Sequence, residues 1–430
     1  MNILMLSSTF PYPPSRGGTE IRTFNLLKFL SQRHTITLVT QRHRDVSDAE
    51  VEALRAAVAE LVVFPLAEPP QVANPIRHVA GQTARWLQSW LSSTPPNVLF
   101  RYSLPMQAWI TTAVNSGQYD VITCEHSVNE IYINPRWRQQ LKTVVDVHSS
   151  IYAWTRNHLE MNASPHPWRD RLYLPLLHRY EQRYAAKFSQ IVVTTEDDRQ
   201  EMQRLCPAAE IAVIPNGVDL ELFPYRSNDP CGMDLVFVGA MDASHNIDAA
   251  RFFVLEVMPL LRQRYPSITF RIVGARPTPE VLALQSQPGV MVTGKVPSMV
   301  EQLHKATVCV VPLRTGFGIK NKTLEAMAAG VPVVGSDRGL EGLAVDGKGV
   351  PLRALRANSP AEYGAAISRL LESPALRTQL SQAGRDFVEQ EYTWERAGTA
   401  YERVLAHSHD QEAVASEVAS DSGVGSSRTP

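Results

Sequence analysis

Residues 310–334 read VVPLRTGFGIKNKTLEAMAAGVPVV: an apolar β-branched run, a loop with two glycines and two lysines, and a helical stretch that Gly330 stops. Strand, Gly-Lys loop and helix start together make an anion cradle. Loop amides and the helix dipole can hold a diphosphate while Lys320 and Lys322 neutralise it, and Glu325 can accept two hydroxyl hydrogen bonds from a ribose. The loop is not a Walker A sequence. Gly17-Gly18, just ahead of another helical stretch, can bring bare amides close to an anionic or heavily hydroxylated ligand. A plain Gly-Gly turn and a solvated lysine pair remain the competing readings, and the GxGxxG dinucleotide fingerprint is absent.

Composition narrows the remaining chemistry. With 42 Lys+Arg against 43 Asp+Glu the chain has a formal charge of -1, which argues against nucleic acid as the main partner. The four cysteines (Cys124, Cys206, Cys231, Cys309) show no CxxC and no Cys/His metal spacing, so reduced thiols and no structural zinc are expected. The opening MNILMLSSTFPYPP has no basic segment, and no run approaches ~20 apolar residues. Neither a signal peptide nor a spanning helix is expected.

At 430 residues the chain accommodates two or three domains, each large enough for its own core. Short β-branched runs alternate with helical periods, the pattern of parallel βαβ units buried on both faces. Predicted strands are Asn2–Ser7, Thr35–Thr40, Leu61–Pro65, Tyr119–Cys124, Thr143–Val147, Gln190–Thr194 and Ile211–Ile214. Helical stretches near Thr19–Gln32, Ser47–Glu60 and Arg169–Lys187 lie between them, and Ser47 with Glu50 has capping-box spacing. Residues 206–232 are rich in turn formers and read as a linker. The pattern restarts with Asp234–Gly239, Ile268–Val273, Val290–Thr293, Thr307–Pro312, Val331–Gly335 and Gly349–Leu352. The fold class is therefore α/β, with two doubly wound Rossmann-like domains facing across a cleft, at 1–210 and 211–392. Residues 393–406 read as a helix crossing back to the first domain, and the small, polar 407–430 as a disordered tail. In such sheets ligands sit beyond the carboxyl ends of the strands, so the strand-to-helix loops above are the informative ones.

The run Gly318-Ile319-Lys320-Asn321-Lys322-Thr323-Leu324-Glu325-Ala326-Met327-Ala328-Ala329-Gly330-Val331-Pro332-Val333-Val334 resembles the donor-binding signature of the family-4 retaining glycosyltransferases of GT-B fold (glycosyl transferases group 1). Supporting matches are Gly17-Gly18, Val213-Ile214-Pro215-Asn216-Gly217-Val218-Asp219, Phe237-Val238-Gly239, Phe270-Arg271-Ile272-Val273-Gly274, Val292-Thr293-Gly294-Lys295-Val296 and Tyr392-Thr393-Trp394, covering residues 1 to about 405. The resemblance implies that Glu325 binds the nucleotide ribose and that Lys320 and Lys322 face the diphosphate. It further implies that Gly17 and Gly18 line the cleft, and that His148 touches the donor sugar and assists catalysis; by strand alternation Asp146, two residues earlier, shares its face and is placed to orient the imidazole. Gly239, His245, Gly318, Asn321, Thr323 and Leu324 complete the implied donor site. The donor is a nucleotide-diphosphate sugar and the acceptor a polysaccharide, glycolipid or lipid-linked glycan, with no cofactor and no metal.

Two positions depart from the family pattern. Phe317 stands where many relatives carry a second glutamate, and Gly239-Ala240-Met241-Asp242-Ala243-Ser244-His245-Asn246 lacks the usual arginine and lysine, leaving Lys320 and Lys322, with His245, to carry the leaving-group charge. The absence of Asp-x-Asp points to a metal-independent, retaining reaction. A nucleotide-sugar 2-epimerase of the same fold and a catalytically degenerate binding protein are the alternatives. Six of seven tryptophans fall in the first domain, and Trp86 and Trp90 lie one helical turn apart beside Arg85. Core packing and a membrane-surface patch both account for them, and the second fits a cytoplasmic enzyme at the inner face of the membrane.

Overall fold

The computed structural model describes residues 1–67, 88–161, 164, 166–316 and 318–406. Two all-parallel sheets organise them. The first has the strand order β3-β2-β1-β4-β5-β6-β7, with β1 (Asn2–Ser7), β2 (Thr35–Arg42), β3 (Glu60–Pro65), β4 (Val121–Glu125), β5 (Lys142–Val147), β6 (Gln190–Val193) and β7 (Ile211–Val213). The second has the order β10-β9-β8-β11-β12-β13, with β8 (Asp234–Val238), β9 (Thr269–Val273), β10 (Val290–Gly294), β11 (Val308–Val311), β12 (Val333–Gly335) and β13 (Leu355–Arg356). Each order reverses once, between β1 and β4 and between β8 and β11. Those two switch points are where a doubly wound sheet opens a crevice for ligand.

Helices cover both faces of each sheet, which is why the strands read as continuous apolar runs: β1 is buried from Ile3 to Ser7 and β5 throughout. One core fills the second domain; two fill the first, one on each side of its sheet. The last helix, Trp394–Ala406, buries Trp394, Ala397, Tyr401 and Leu405 in one of these first-domain cores. The two chain crossings touch: the Val218 amide donates to the Tyr392 carbonyl at 2.8 Å, and a Cβ on Gly217 would fall 2.5 Å from the Trp394 amide nitrogen. Only glycine fits between them.

Three expectations need correction. Ile211–Val213 pairs with β6, so the first domain runs through Val213 instead of ending at 210. The last strand is Leu355–Arg356, pairing with β12, and not Gly349–Leu352, where Pro351 lacks the amide a ladder needs. The helix expected over Ser47–Glu60 stops at Arg55, although its capping box forms with both halves present. Phe317, the Arg85–Trp86 part of the tryptophan pair and the tail from 407 lie outside the described residues. Trp90 is exposed, and no helix among the described residues is long and apolar enough to cross a membrane.

Candidate active site

Most helix starts carry a side-chain cap: Ser47, Ser103, Ser150, Thr195, Thr278, Ser298, Ser359 and Ser373 each accept from a first-turn amide. The helices that follow β1, β8 and β11 do not, and neither do Pro96–Arg101 and Pro167–Ala185, which open on proline. After the three strands the N-caps are Gly17, Ala243 and Lys320, and none makes a side-chain cap bond. These strands are three of the four that border the switch points. Amides left uncapped there, with the helix dipoles behind them, are available to an anion from both domains. A Cβ on Gly18 would meet nothing within 4 Å, whereas one on Gly17 would lie 2.7 Å from Glu20 Oε2, so the corner is open beside Gly18 and bordered by a carboxylate beside Gly17.

On the second-domain wall, the Glu325 carboxylate makes no hydrogen bond among the described residues, and burial raises its pKa to about 7 against the pull of Lys322. Lys322, one turn earlier, donates to Asn246 Oδ1 at 2.5 Å and lies 4.5 Å from the centre of the Phe237 ring. Burial lowers its pKa to about 7. An under-satisfied carboxylate and an ammonium on one helix face form a site that awaits polar partners. His245 joins them: burial first, then the charges of Lys322 and Lys320, lower its pKa to about 3, so it is a neutral imidazole. Gly239 is required here because a Cβ would lie 2.7 Å from Lys322 Nζ and 2.8 Å from Asn246 Nδ2.

Other residues of the signature serve different ends. Lys320 is buried, pairs with Glu341 Oε2 at 3.0 Å and also donates to the Gly318 carbonyl, so it braces its own loop. Thr323 spends its hydroxyl on the Gly339 carbonyl at 2.8 Å, and Leu324 is a core residue; both side chains support the helix and do not face the cleft. Asn321 Oδ1 accepts from Asn216 Nδ2 at 2.8 Å. Gly318 has φ +73°, and a Cβ on it would lie 2.7 Å from Thr194 Oγ1 and 3.5 Å from the His148 carbonyl oxygen. The Gly318 loop therefore packs directly against the first domain at Thr194 and His148.

That wall is built at the carboxyl ends of β4 and β5. The His148 ring stands edge-on to His126 with centroids 5.3 Å apart, and its Nε2 is buried without a hydrogen-bond partner. Asp146 Oδ2 is 3.6 Å from it, too far for a hydrogen bond, because Asp146 belongs first to Arg22. Arg22 Nε and Nη2 donate to the two Asp146 oxygens at 2.6 and 3.0 Å, and Nη1 donates to Asn216 Oδ1 at 2.9 Å. Burial, the largest single influence, would raise the Asp146 pKa, but the Arg22 charge and hydrogen bonds together with the neighbouring His148 outweigh it and hold the carboxyl at about 2. Glu125 lies beside them, its Oε1 accepting from Thr123 and Tyr401 at 2.7 and 2.9 Å; burial and the Asp146 charge raise it to about 7. Glu125, Asp146 and His148 place potential ligand atoms within 4.8 Å of one another, the spacing of a metal site. Both Asp146 oxygens and one Glu125 oxygen are already engaged, and Arg22 occupies the place of the cation.

The structure places His148, Lys322, Glu325, Gly239, His245 and the Gly17-Gly18 corner at the loops beside the switch points, together with Arg22, Glu125 and Tyr401, which the sequence did not single out. A signal existed for Arg22: it shares a helix face with Leu26 and Phe29, an arginine on an apolar stripe.

The description "Glycosyltransferase Family 4" fits residues 16–222 and "Glycosyl transferases group 1" fits residues 232–373. A glycogen synthase of Mycobacterium tuberculosis is 28% identical over 206 residues, 46% of this chain and 48% of its own length. A D-inositol 3-phosphate glycosyltransferase of Nocardiopsis dassonvillei is 29% identical over 233 residues, 48% of this chain and 53% of its own. The match thus spans about half of each curated relative. Among solved structures, Anabaena HepE in complex with UDP-glucose superposes with a TM-score of 0.63 at 14% identity, covering 94% of this chain and 99% of that one. WaaG, a glycosyltransferase involved in lipopolysaccharide biosynthesis, superposes with a TM-score of 0.59 at 14% identity, covering 95% and 100%. Two tandem family matches, the switch-point cleft between two Rossmann-like domains and the solved relatives of the same architecture agree: the chain belongs to the family-4, group-1 glycosyltransferases of GT-B fold.

Proposed function

We propose that this glycosyltransferase moves a hexose from a nucleoside-diphosphate sugar to a hydroxyl of a glycan or lipid-linked acceptor, with retention of anomeric configuration and without a resident metal. The observation that carries the reading is the pair Glu325 and Lys322 on one uncapped helix start, a carboxylate with no hydrogen-bond partner among the described residues and an ammonium, across from His148. Glu325 takes the two ribose hydroxyls, while Lys322 and the amides after Lys320 and Ala243 take the diphosphate. HepE with bound UDP-glucose supports a donor of this class.

In the reaction the anomeric C–O bond to the β-phosphate breaks through an oxocarbenium-like state, and negative charge grows on the leaving diphosphate. Lys322 and the helix dipoles stabilise that charge, which lowers the barrier because the interaction strengthens as the bond breaks. The acceptor oxygen then forms its bond on the same face, and its proton passes to the leaving phosphate oxygen. His148 borders the sugar and holds it against this face. A thermal-shift screen of nucleoside diphosphates and their sugars, followed by product analysis of each hit, tests the reading. Slow donor hydrolysis to free sugar is expected; conversion of the donor to its 2-epimer would contradict it and favour the epimerase.

A further inference from the structure

Arg22 lies in the first domain, yet its guanidinium is the middle of a polar chain that ends in the second. Asp146 at the end of β5 accepts from Nε and Nη2; Asn216, on the segment where the chain passes between domains, accepts from Nη1; and Asn216 in turn donates to Asn321, the first residue of the helix that carries Lys322 and Glu325. Arg22 and Asp146 are almost wholly buried and Asn216 nearly so. Every contact in the chain lies between 2.6 and 3.0 Å. Planar, fork-shaped guanidinium is the one side chain that can grip both carboxylate oxygens and still present a third nitrogen in a fixed direction. Two other observations give the chain a task. Asp146 stands two residues before His148, and the Gly318 loop, two residues before Lys320, packs on the His148 carbonyl.

The geometry points to Arg22 as a positioning residue that sets the distance between the His148 wall and the start of the donor helix, so that the two halves of the site close in one register. The assignment rests on the donor reading above. It makes Asn216, in the Pro-Asn-Gly-Val-Asp linker, the hinge-side partner: closure is reported to the strand carrying His148 through one side chain from each of four separate segments. A packing role alone would need only charge neutralisation of Asp146.

That difference is what the experiment reads. Arg22→Lys keeps a positive charge beside Asp146 but cannot also reach Asn216, and Asn216→Ala leaves the Arg22–Asp146 pair intact. For both, three quantities are measured against wild type: melting temperature, calorimetric affinity for UDP, and turnover of UDP-glucose without acceptor. The expected result is UDP affinity within about threefold of wild type and melting within about 4 °C, with turnover down at least about 30-fold for Arg22→Lys and about tenfold for Asn216→Ala. Wild-type turnover in either variant overturns the assignment. So does a loss of turnover matched by equal loss of UDP affinity or by a collapse in melting temperature, which would make Arg22 structural. Should the wild-type chain bind UDP but turn over neither UDP-glucose nor any other nucleoside-diphosphate sugar of the screen, the donor reading fails by itself. The relay is then judged by small-angle scattering with UDP bound: the variants must have a larger radius of gyration than wild type, and equal radii overturn it.

Discussion

The Lys322 ammonium lies 2.7 Å from the point where Gly239 would carry a Cβ, so the end of β8 and the start of the Asn321–Ala328 helix can approach only because residue 239 has no side chain. The Phe-Val-Gly run at the second domain's first strand thus exists to seat a lysine. Gly239→Ala pushes Lys322 and Asn246 outward together. UDP affinity should drop about tenfold by calorimetry while the fold loses no more than about 1–2 kcal/mol in denaturant titration.

Glu325 and Lys322 give donor binding a pH signature. Burial raises Glu325 and lowers Lys322 to about 7 each. Below that value Glu325 takes up a proton and loses its grip on ribose hydroxyls; above it Lys322 loses the charge that attracts the diphosphate. Affinity for UDP should therefore peak near neutrality. Glu325→Gln should flatten the acid limb and Lys322→Met the alkaline one, and Glu325→Ala should cost about 1.5–3 kcal/mol at the peak. A profile that neither substitution alters removes both residues from the site.

Behind the His148 loop, Glu181 is buried, accepts from Ser150 Oγ at 2.6 Å and the Tyr152 amide at 3.2 Å, and is raised by burial to about 7. Its folded pKa exceeds the unfolded value near 4.5, so the folded state holds the proton more tightly. This term stabilises fully below pH about 4.5 and is lost as the pH rises through about 7. Glu181→Gln keeps the shape without the ionisation, and at pH 8 it should be more stable than wild type by on the order of 2–3 kcal/mol, with the difference falling below about 1 kcal/mol near pH 5. Denaturant titrations at the two pH values decide it.

The crossing helix depends on one small residue. A Cβ on Gly398 would overlap the Phe29 ring, with Cδ1 and Cδ2 at 2.5 and 2.7 Å and Cγ nearer still. Gly398→Ala should destabilise the chain by about 1–3 kcal/mol and loosen Tyr401 from Glu125 and Thr123. Hydrogen exchange should speed up in Trp394–Ala406 before anywhere else in the first domain.

The fold was legible because parallel strands covered on both faces must be apolar along their length, as β1, β5 and β11 are. Short edge strands leave a weaker trace: β13 has two residues and lies beyond a proline-interrupted apolar run that resembles a strand better than it does. In the site, Glu325, Lys322 and Gly239 were legible through local motifs. Lys320 shared the same motif, but its partner Glu341 comes 21 residues later, and nothing in the spacing announces that pairing. Arg22 and Asp146 are 124 residues apart, and Tyr401 and Glu125 are 276 apart; only the assembled sheet and the returning helix bring them together.

Proton NMR of UDP-glucose turnover without acceptor tests the central claim most directly, because it reports bond cleavage and stereochemistry in one spectrum. The account predicts that α-glucose appears first, before mutarotation, that EDTA leaves the rate unchanged, and that Lys322→Met slows it by at least about 100-fold while the protein stays folded. First appearance of β-glucose, loss of turnover in EDTA restored by manganese or magnesium, or wild-type turnover in Lys322→Met would contradict it.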